Sequence, residues 1–256
     1  MTRVHVVIPA RFGSSRLPGK PLLDIAGKPM VWHVWQRVLE SGLKSAIIAT
    51  DDERILNAAT QFGGKALMTK ASHNSGTERL AEVAEKMGWN DDDVVINVQG
   101  DEPLIDPALI VELAESLTSQ PQAQMATLLS HIHSYEDFVS PNVVKAVINH
   151  ASEAMYFSRA PIPWPRDSFA KQSKEVPDSV YRHIGMYGYR VSCLKRLVTL
   201  PESPLEALES LEQLRPLQSG IAIHCSVVAN APAHGVDTPE DWARVRALVE
   251  QGLTVA

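Results

Sequence analysis

Val4-His5-Val6-Val7-Ile8-Pro9-Ala10-Arg11-Phe12-Gly13-Ser14-Ser15-Arg16-Leu17-Pro18-Gly19-Lys20-Pro21 joins a short apolar run to a loop with two glycines and three cations. Val4 to Ile8 reads as a first strand. At the carboxyl end of a strand, such a loop suits a triphosphate: backbone N–H groups approach the oxygens while Arg11, Arg16 and Lys20 neutralise charge. A solvated basic turn is the plainer alternative. A Walker A loop needs G-x-x-x-x-G-K-[ST]; here five residues separate Gly13 from Gly19, and Pro21 follows Lys20, so no hydroxyl stands there to ligate a metal.

Beyond this loop, short apolar runs alternate with amphipathic segments through the first 130 residues, the pattern of βαβ units feeding a mostly parallel sheet. Met30 to Ser41 is predicted as a helix ended by Gly42, Ala46 to Ala49 as a strand, and Asp52 to Phe62 as a helix closed by Gly63 and Gly64. Ala66 to Met68 follows as a short strand and Thr77 to Met87 as a helix opened by Ser75 and Glu78 at capping-box spacing. Val94 to Val98 is nearly all apolar, as a strand buried on both faces requires.

The second half is less regular. Strands are expected at Val143 to Ile148, Met155 to Phe157, Arg182 to Arg190 and Ile221 to Val228, and helices at Leu205 to Leu217 and Pro239 to Glu250. The polar stretch Arg166 to Asp178 reads as a mobile loop. The fold class expected is α/β: a three-layer α/β/α core with a mostly parallel sheet, and a small inserted sheet or lid in the second half.

Composition narrows the partners. Twenty-four Lys and Arg against thirty Asp and Glu leave a net charge of -6, so no global positive field exists to hold nucleic acid. Hydrophobic residues at 45% and charged residues at 21% are ordinary globular usage. No stretch approaches the ~18 apolar residues of a membrane span, and the start shows no apolar leader, so a cytoplasmic location is expected. Cys193 and Cys225 lack metal-ligand spacing and read as buried thiols.

With no metal ligand in the loop, carboxylates at other strand ends become candidates. Asn97-Val98-Gln99-Gly100-Asp101-Glu102-Pro103 places Asp101 at the edge that carries the phosphate loop. In Gly235-Val236-Asp237-Thr238-Pro239-Glu240-Asp241, Asp237 is a second candidate, although Asp237 or Thr238 also reads as a plain helix cap before Pro239. Mg²⁺ favours one or two carboxylates plus substrate phosphates, so this pair suffices.

IPARFGSSRLPGKPL from Ile8, ATDDERI from Ala49, SGTERLAE from Ser75 and NVQGDEPLI from Asn97, followed by FSRAPIPW from Phe157, RHIGMYGYR from Arg182, SLEQLR from Ser210 and GVDTPEDW from Gly235, together resemble the CMP-KDO synthetase family. The likeness runs nearly end to end. It implies a Rossmann-like sugar nucleotidyltransferase that moves CMP from CTP onto 3-deoxy-manno-octulosonate (KDO), with one or two Mg²⁺ ions, for lipopolysaccharide synthesis. Asp101 and Asp237 match the family's metal ligands, and Lys20 and Arg16 its catalytic cations. CTP is expected at Arg11, Ser14, Arg16, Lys20, Ser75, Gly76, Arg79 and Gln99.

For the sugar, the resemblance implies Gln99, Arg159, His183, Tyr187, Glu212 and Gln213, with Arg159 as the carboxylate clamp. Without the family pattern, His183 and Tyr187 also read as packed strand residues. A single domain over 1–256 is expected: 1–130 for CTP, 131–220 for sugar and dimerisation, and 221–256 returning to the core. The resemblance implies a homodimer, with Ile162 to Ser179 as contact surface, and neither nucleic acid nor membrane as partner. A sialic acid or related acidic sugar is the alternative acceptor, and a nonturnover nucleotide-binding module the alternative from another class.

Overall fold

A computed structural model describes residues 2–13, 17–43, 45–73, 75–229 and 235–252. Ser14 and Arg16 therefore lie outside the described residues. In the first half, β1 (Val4–Ala10) leads through a 3-10 turn at Lys20–Leu22 to a hairpin, β2 (Asp24–Ile25) and β3 (Lys28–Pro29). Next come α1 (Met30–Glu40), β4 (Ala46–Thr50), α2 (Glu53–Gln61), β5 (Ala66–Met68), α3 (Gly76–Lys86) and β6 (Val94–Asn97). Then follow α4 (Pro107–Thr118), β7 (Met125–His131), α5 (Tyr135–Val139), β8 (Lys145–Ile148), β9 (Ala154–Ser158) and α6 (Arg166–Ala170). The chain closes with β10 (Tyr181–Arg190), α7 (Val191–Leu197), α8 (Pro204–Glu209), α9 (Leu214–Gln218), β11 (Ile223–Val228) and α10 (Pro239–Glu250).

Nine strands form one sheet among the described residues, in the order β11-β7-β10-β6-β1-β4-β5 with β8 and β9 branching from β10. The pairs β1/β4, β1/β6, β4/β5 and β7/β11 are parallel, whereas β10 runs against both β6 and β7. Two apolar layers cover its faces: Val6, Ile8, Ile48 and Ile96 lie among the side chains on one, and Val7, Ala49 and Val95 among those on the other. Each apolar layer excludes water at the order of 25 cal/mol per Å² of apolar surface. Strands buried on both faces are why the central runs are unbroken rather than alternating.

The inserted region of the second half is β8 and β9. β6 pairs with Tyr187 to Arg190 of β10, and β8 takes over at Tyr181 and Arg182. The extra two-stranded sheet, β2 and β3, falls in the first half instead and packs through Ile25 against Val236 and Val245.

Two expected elements differ. The helix expected over Leu205 to Leu217 is divided into α8 and α9, with Ser210 in the left-handed region at φ 53. Pro216, without an N–H and crowding the carbonyl four residues earlier, forbids a continuous helix and is tolerated in the first turn of α9. The stretch Arg166 to Asp178 is anchored rather than loose: it begins with α6, and Phe169 and Val176 pack against Ile132, Phe138, Val143 and Val180.

Candidate active site

The carboxyl ends of β1, β4 and β6 converge on the phosphate loop. Gly19, at φ 68, donates its N–H to Phe12 O at 3.1 Å and closes the loop on itself. The Phe12 ring packs beneath Gly19 and carries the Arg54 guanidinium 3.4 Å above its centroid. Asp51, just past β4, ties this loop to the helix beside it: its Oδ1 accepts from Phe12 N at 3.3 Å and its Oδ2 from Arg79 Nη2 at 3.0 Å. Arg79 is 3% exposed and also donates to Thr69 Oγ1. A buried guanidinium held on both arms keeps its direction fixed.

Asp101 and Asp237 come together although 136 positions separate them in sequence. Val236 N–H donates to Asp101 O at 2.8 Å, and a side chain at Gly235 would press on that same carbonyl. The cap of α10 is Thr238, reciprocally bonded with Asp241, so the Asp237 carboxylate is directed elsewhere. It reaches Lys20: Nζ lies 2.7 Å from Asp101 Oδ2 and 3.2 Å from Asp237 Oδ1. One cation thus already bridges both carboxylates, which is the test of fit for a divalent ion. Among the described residues no cluster of three or more His, Cys, Asp or Glu could cage a metal. Two carboxylates are hard oxygen donors that fit Mg²⁺ when further oxygens complete its shell.

Glu102, next in the chain, does not line the cleft: its Oε2 is buried and unpartnered among the described residues, and burial and the neighbouring Asp101 push its pKa up to about 7. Around this centre lies a cleft of about 310 Å³, lined by Arg11, Lys20, Ser75, Gly76, Arg79, Gln99, Asp101, Glu212 and Asp237. His73 also lines it, held by Glu82 Oε2 at 2.5 Å, with Glu78 at 3.4 Å. Ser75 caps α3 by accepting from Glu78 N.

Ser75, Gly76, Gln99 and Glu212 also border a second cavity of about 700 Å³, which holds His183, Tyr187 and Gln213. His183 and Tyr187, on either side of a register irregularity between Ile184 and Tyr187, both face this cavity, with ring centroids 5.4 Å apart. The Thr127 hydroxyl directs its proton at Met186 O, 2.7 Å away, and so accepts from His183 Nε2 at 3.0 Å. That contact fixes the tautomer, and enclosure pushes the His183 pKa down to about 3, so the ring is neutral. Burial raises the Glu212 pKa, helped by Glu206 and opposed by Arg215, although its side chain is open to the cavity.

Arg159 is placed differently from the expectation. It lines neither cavity; its guanidinium donates to Glu209 O at 2.7 Å, Pro141 O at 2.9 Å and Ser210 O at 3.4 Å. Its own carbonyl accepts from the buried Lys145 at 2.6 Å. Arg215, on the wall of the second cavity, is engaged by both oxygens of Glu206. Sequence reasoning missed Asp51, His73 and Asn97 as parts of the site. Asp51 could have been found, since it follows a strand at the sheet edge where such folds bind ligands.

No helix of the described residues is long and apolar enough to cross a membrane. The sequence model of the family described as cytidylyltransferase matches residues 5–223. The 3-deoxy-manno-octulosonate cytidylyltransferase of Hahella chejuensis (strain KCTC 2396) is 54% identical over 97% of this chain and 98% of its own length. That of Cellvibrio japonicus (strain Ueda107) is 55% identical over the same shares. The solved structure of a CMP:2-keto-3-deoxy-manno-octonic acid synthetase complexed with CTP aligns with a TM-score of 0.89 at 46% identity, covering 98% of this chain and 100% of that one. A cytidylyltransferase from Leptospira borgpetersenii, 16% identical with a TM-score of 0.63, shares the fold. A paired-carboxylate centre, a glycine-bearing cationic loop and a match over nearly the whole length agree: the chain belongs to the cytidylyltransferase family.

Proposed function

We propose that the protein transfers the cytidylyl group of CTP to the anomeric hydroxyl of 3-deoxy-manno-octulosonate, releasing pyrophosphate. The observation that carries this reading is the juxtaposition of two cavities sharing one wall at Ser75, Gly76, Gln99 and Glu212, with Asp101 and Asp237 at the nucleotide end. The relatives' names supply the acceptor.

The hydroxyl oxygen attacks the α-phosphorus in line as its proton passes to solvent, and the bond to the bridging oxygen breaks, leaving its electron pair on pyrophosphate. Such transfers depend on positioning and charge rather than on covalent work by the protein. Asp101 and Asp237 would hold magnesium, which when bound neutralises phosphate charge and lowers the pKa of the attacking hydroxyl. Lys20, with Arg11 and Arg16 on the same loop, stabilises the departing pyrophosphate. Arg79 and the N-terminal turn of α3 at Ser75 and Gly76 hold the nucleoside.

In the second cavity, His183, Tyr187, Gln213 and Gln99 offer neutral groups to hydroxyls. With Arg159 and Arg215 engaged by the protein, neither is free to clamp the sugar carboxylate. Arg159 supports the site by holding the 209–210 turn that leads to Glu212 and Gln213. The reading includes a homodimer, for which exposed Trp164 and Met155 offer apolar surface, and work in the cytoplasm, where CTP is made. Pyrophosphate release from CTP with magnesium, compared with KDO, a sialic acid and no sugar, tests the proposal. Release with KDO alone is expected; release with sialic acid overturns the acceptor, and none at all overturns the transfer.

A further inference from the structure

β6 is an apolar strand with one exception. Val94, Val95 and Ile96 are fully buried, and Asn97, at its carboxyl end, is 4% exposed. The main chain of Asn97 is registered between Val7 of β1 and Tyr187 of β10. Its side chain is not accounted for by the fold: Oδ1 is buried without a hydrogen-bond partner among the described residues. An orphaned polar atom of this kind costs the folded protein on the order of 1–3 kcal/mol. Nothing in packing explains its presence, since a leucine of the same shape would suit an apolar strand better.

Asn97 lies on the wall of the larger cavity, and its Nδ2 is 3.9 Å from the point where a side chain at Gly76 would begin. It therefore stands near the seam with the nucleotide cleft. Two more polar atoms on the same wall, Tyr187 Oη and Gln213 Nε2, are buried without a well-formed hydrogen bond among the described residues; the Thr127 hydroxyl beside Tyr187 opposes the rise that burial brings to its pKa. Three such atoms around one cavity describe a surface awaiting a polyhydroxylated ligand.

We propose that Asn97 is a substrate-binding residue whose amide takes one hydroxyl of the acidic sugar, close to the seam between the cavities. The inference rests on reading the larger cavity as the sugar site. A hydroxyl both donates and accepts, so it satisfies the amide in either of its two orientations. A carboxylate can only accept and leaves Oδ1 orphaned. The ribose of CTP is the other source of hydroxyls, but Asn97 lines the larger cavity and not the nucleotide cleft.

The test is steady-state pyrophosphate release and thermal denaturation of the full chain with N97L and N97D. For N97L, KM for KDO should rise roughly five- to tenfold, the effect of one lost hydrogen bond, with KM for CTP changed less than about twofold. Its unliganded melting midpoint should hold or rise, because an apolar isostere removes the orphan; a structural asparagine would lower it. N97D keeps the shape and the acceptor but brings a negative charge to a site for an anionic sugar, so it too should weaken KDO. An unchanged KM for KDO in both variants overturns the inference, as does a rise confined to CTP, which would assign Asn97 to the ribose. Wild-type protein releasing no pyrophosphate with KDO overturns the underlying sugar reading instead, before any variant is compared.

Discussion

A methyl group added at Gly100 would sit 2.6 Å from the carbonyl oxygen of Pro9, with Ala10 Cβ at 3.6 Å. The obstructing atom is backbone of β1, held in parallel ladders to β4 and β6, so it cannot turn aside as a flexible side chain would. Ordinary contact begins near 3.4 Å, so the ends of β1 and β6 must part by about 0.8 Å to admit the methyl. Overpacking of this kind costs about 2 kcal/mol, which for a chain of this size lowers the melting midpoint by roughly 4 °C. The functional effect should exceed the structural one. Lys20 is carried by the loop after β1 and Asp101 follows Gly100 directly, so the parting separates partners now 2.7 Å apart. Misplacement by about an ångström costs on the order of a hundredfold in rate, so G100A should lose roughly ten- to a hundredfold in kcat. Calorimetry and pyrophosphate release with CTP and KDO measure the two effects separately. Turnover within twofold of wild type together with an unchanged midpoint would refute the claim that these strand ends set the catalytic geometry.

Asp101→Asn should cut turnover at least about a hundredfold and shift magnesium activation to higher concentration, read from metal titrations of activity; unchanged magnesium dependence would remove Asp101 from the metal site. Burial by itself raises the Glu82 pKa, but hydrogen bonds from Lys86, Lys70 N–H and His73 outweigh it and bring it down to about 2 from 4.5. A depressed carboxylate pKa stabilises the fold above the unfolded value, and that stability is lost as pH falls from about 4.5 through about 2. E82Q should therefore be less stable at neutral pH and lose less on acidification, as urea melts across that window would register. Ser210 at φ 53 strains a non-glycine backbone, so S210G should gain about 0.5–1 kcal/mol in urea melts; a loss instead would mean that its side chain holds the turn.

Most first-half strands and helices were legible because their physics is local, although α4, β7 and the β2/β3 hairpin went unread. Val94 to Ile96 is buried on both faces and reads as an unbroken apolar run; Ser75 caps α3 as its spacing to Glu78 suggested, and Asp52, read as the start of a helix, caps α2. Pro239 to Glu250 has the expected bounds, since a proline at its first position follows a Thr238 cap bonded to Asp241. The candidate metal pair was nameable but not its means of assembly. The bond from Val236 N–H to Asp101 O joins distant segments and leaves no periodic trace.

Arg159 shows the opposite limit. A cation in a motif-bearing segment suggested a ligand for a carboxylate, yet main-chain carbonyls of a turn fifty residues away hold it. Competition from backbone acceptors depends on tertiary placement and cannot be read from residue type. The break between α8 and α9 was partly visible in Pro216, but the left-handed Ser210 was not, because serine seldom marks such a conformation. Asn97 was quoted within a motif and passed over. Its significance lies in what it fails to bond, which only coordinates reveal.

The placement of β10 between β6 and β7 has a consequence for how the protein is made. β6 ends at Asn97 and the strand that completes its outer edge ends at Arg190, so one flank of a mostly apolar strand stays open while the intervening chain is synthesised. At translation rates of about 5–20 residues per second, that interval lasts roughly 5–20 s. During it the nascent first half presents an unpaired, hydrophobic strand edge, the feature most prone to pairing with another chain. β10 thus also closes the sheet on the ribosome, and a chain stopped at residue 180 would keep that edge exposed.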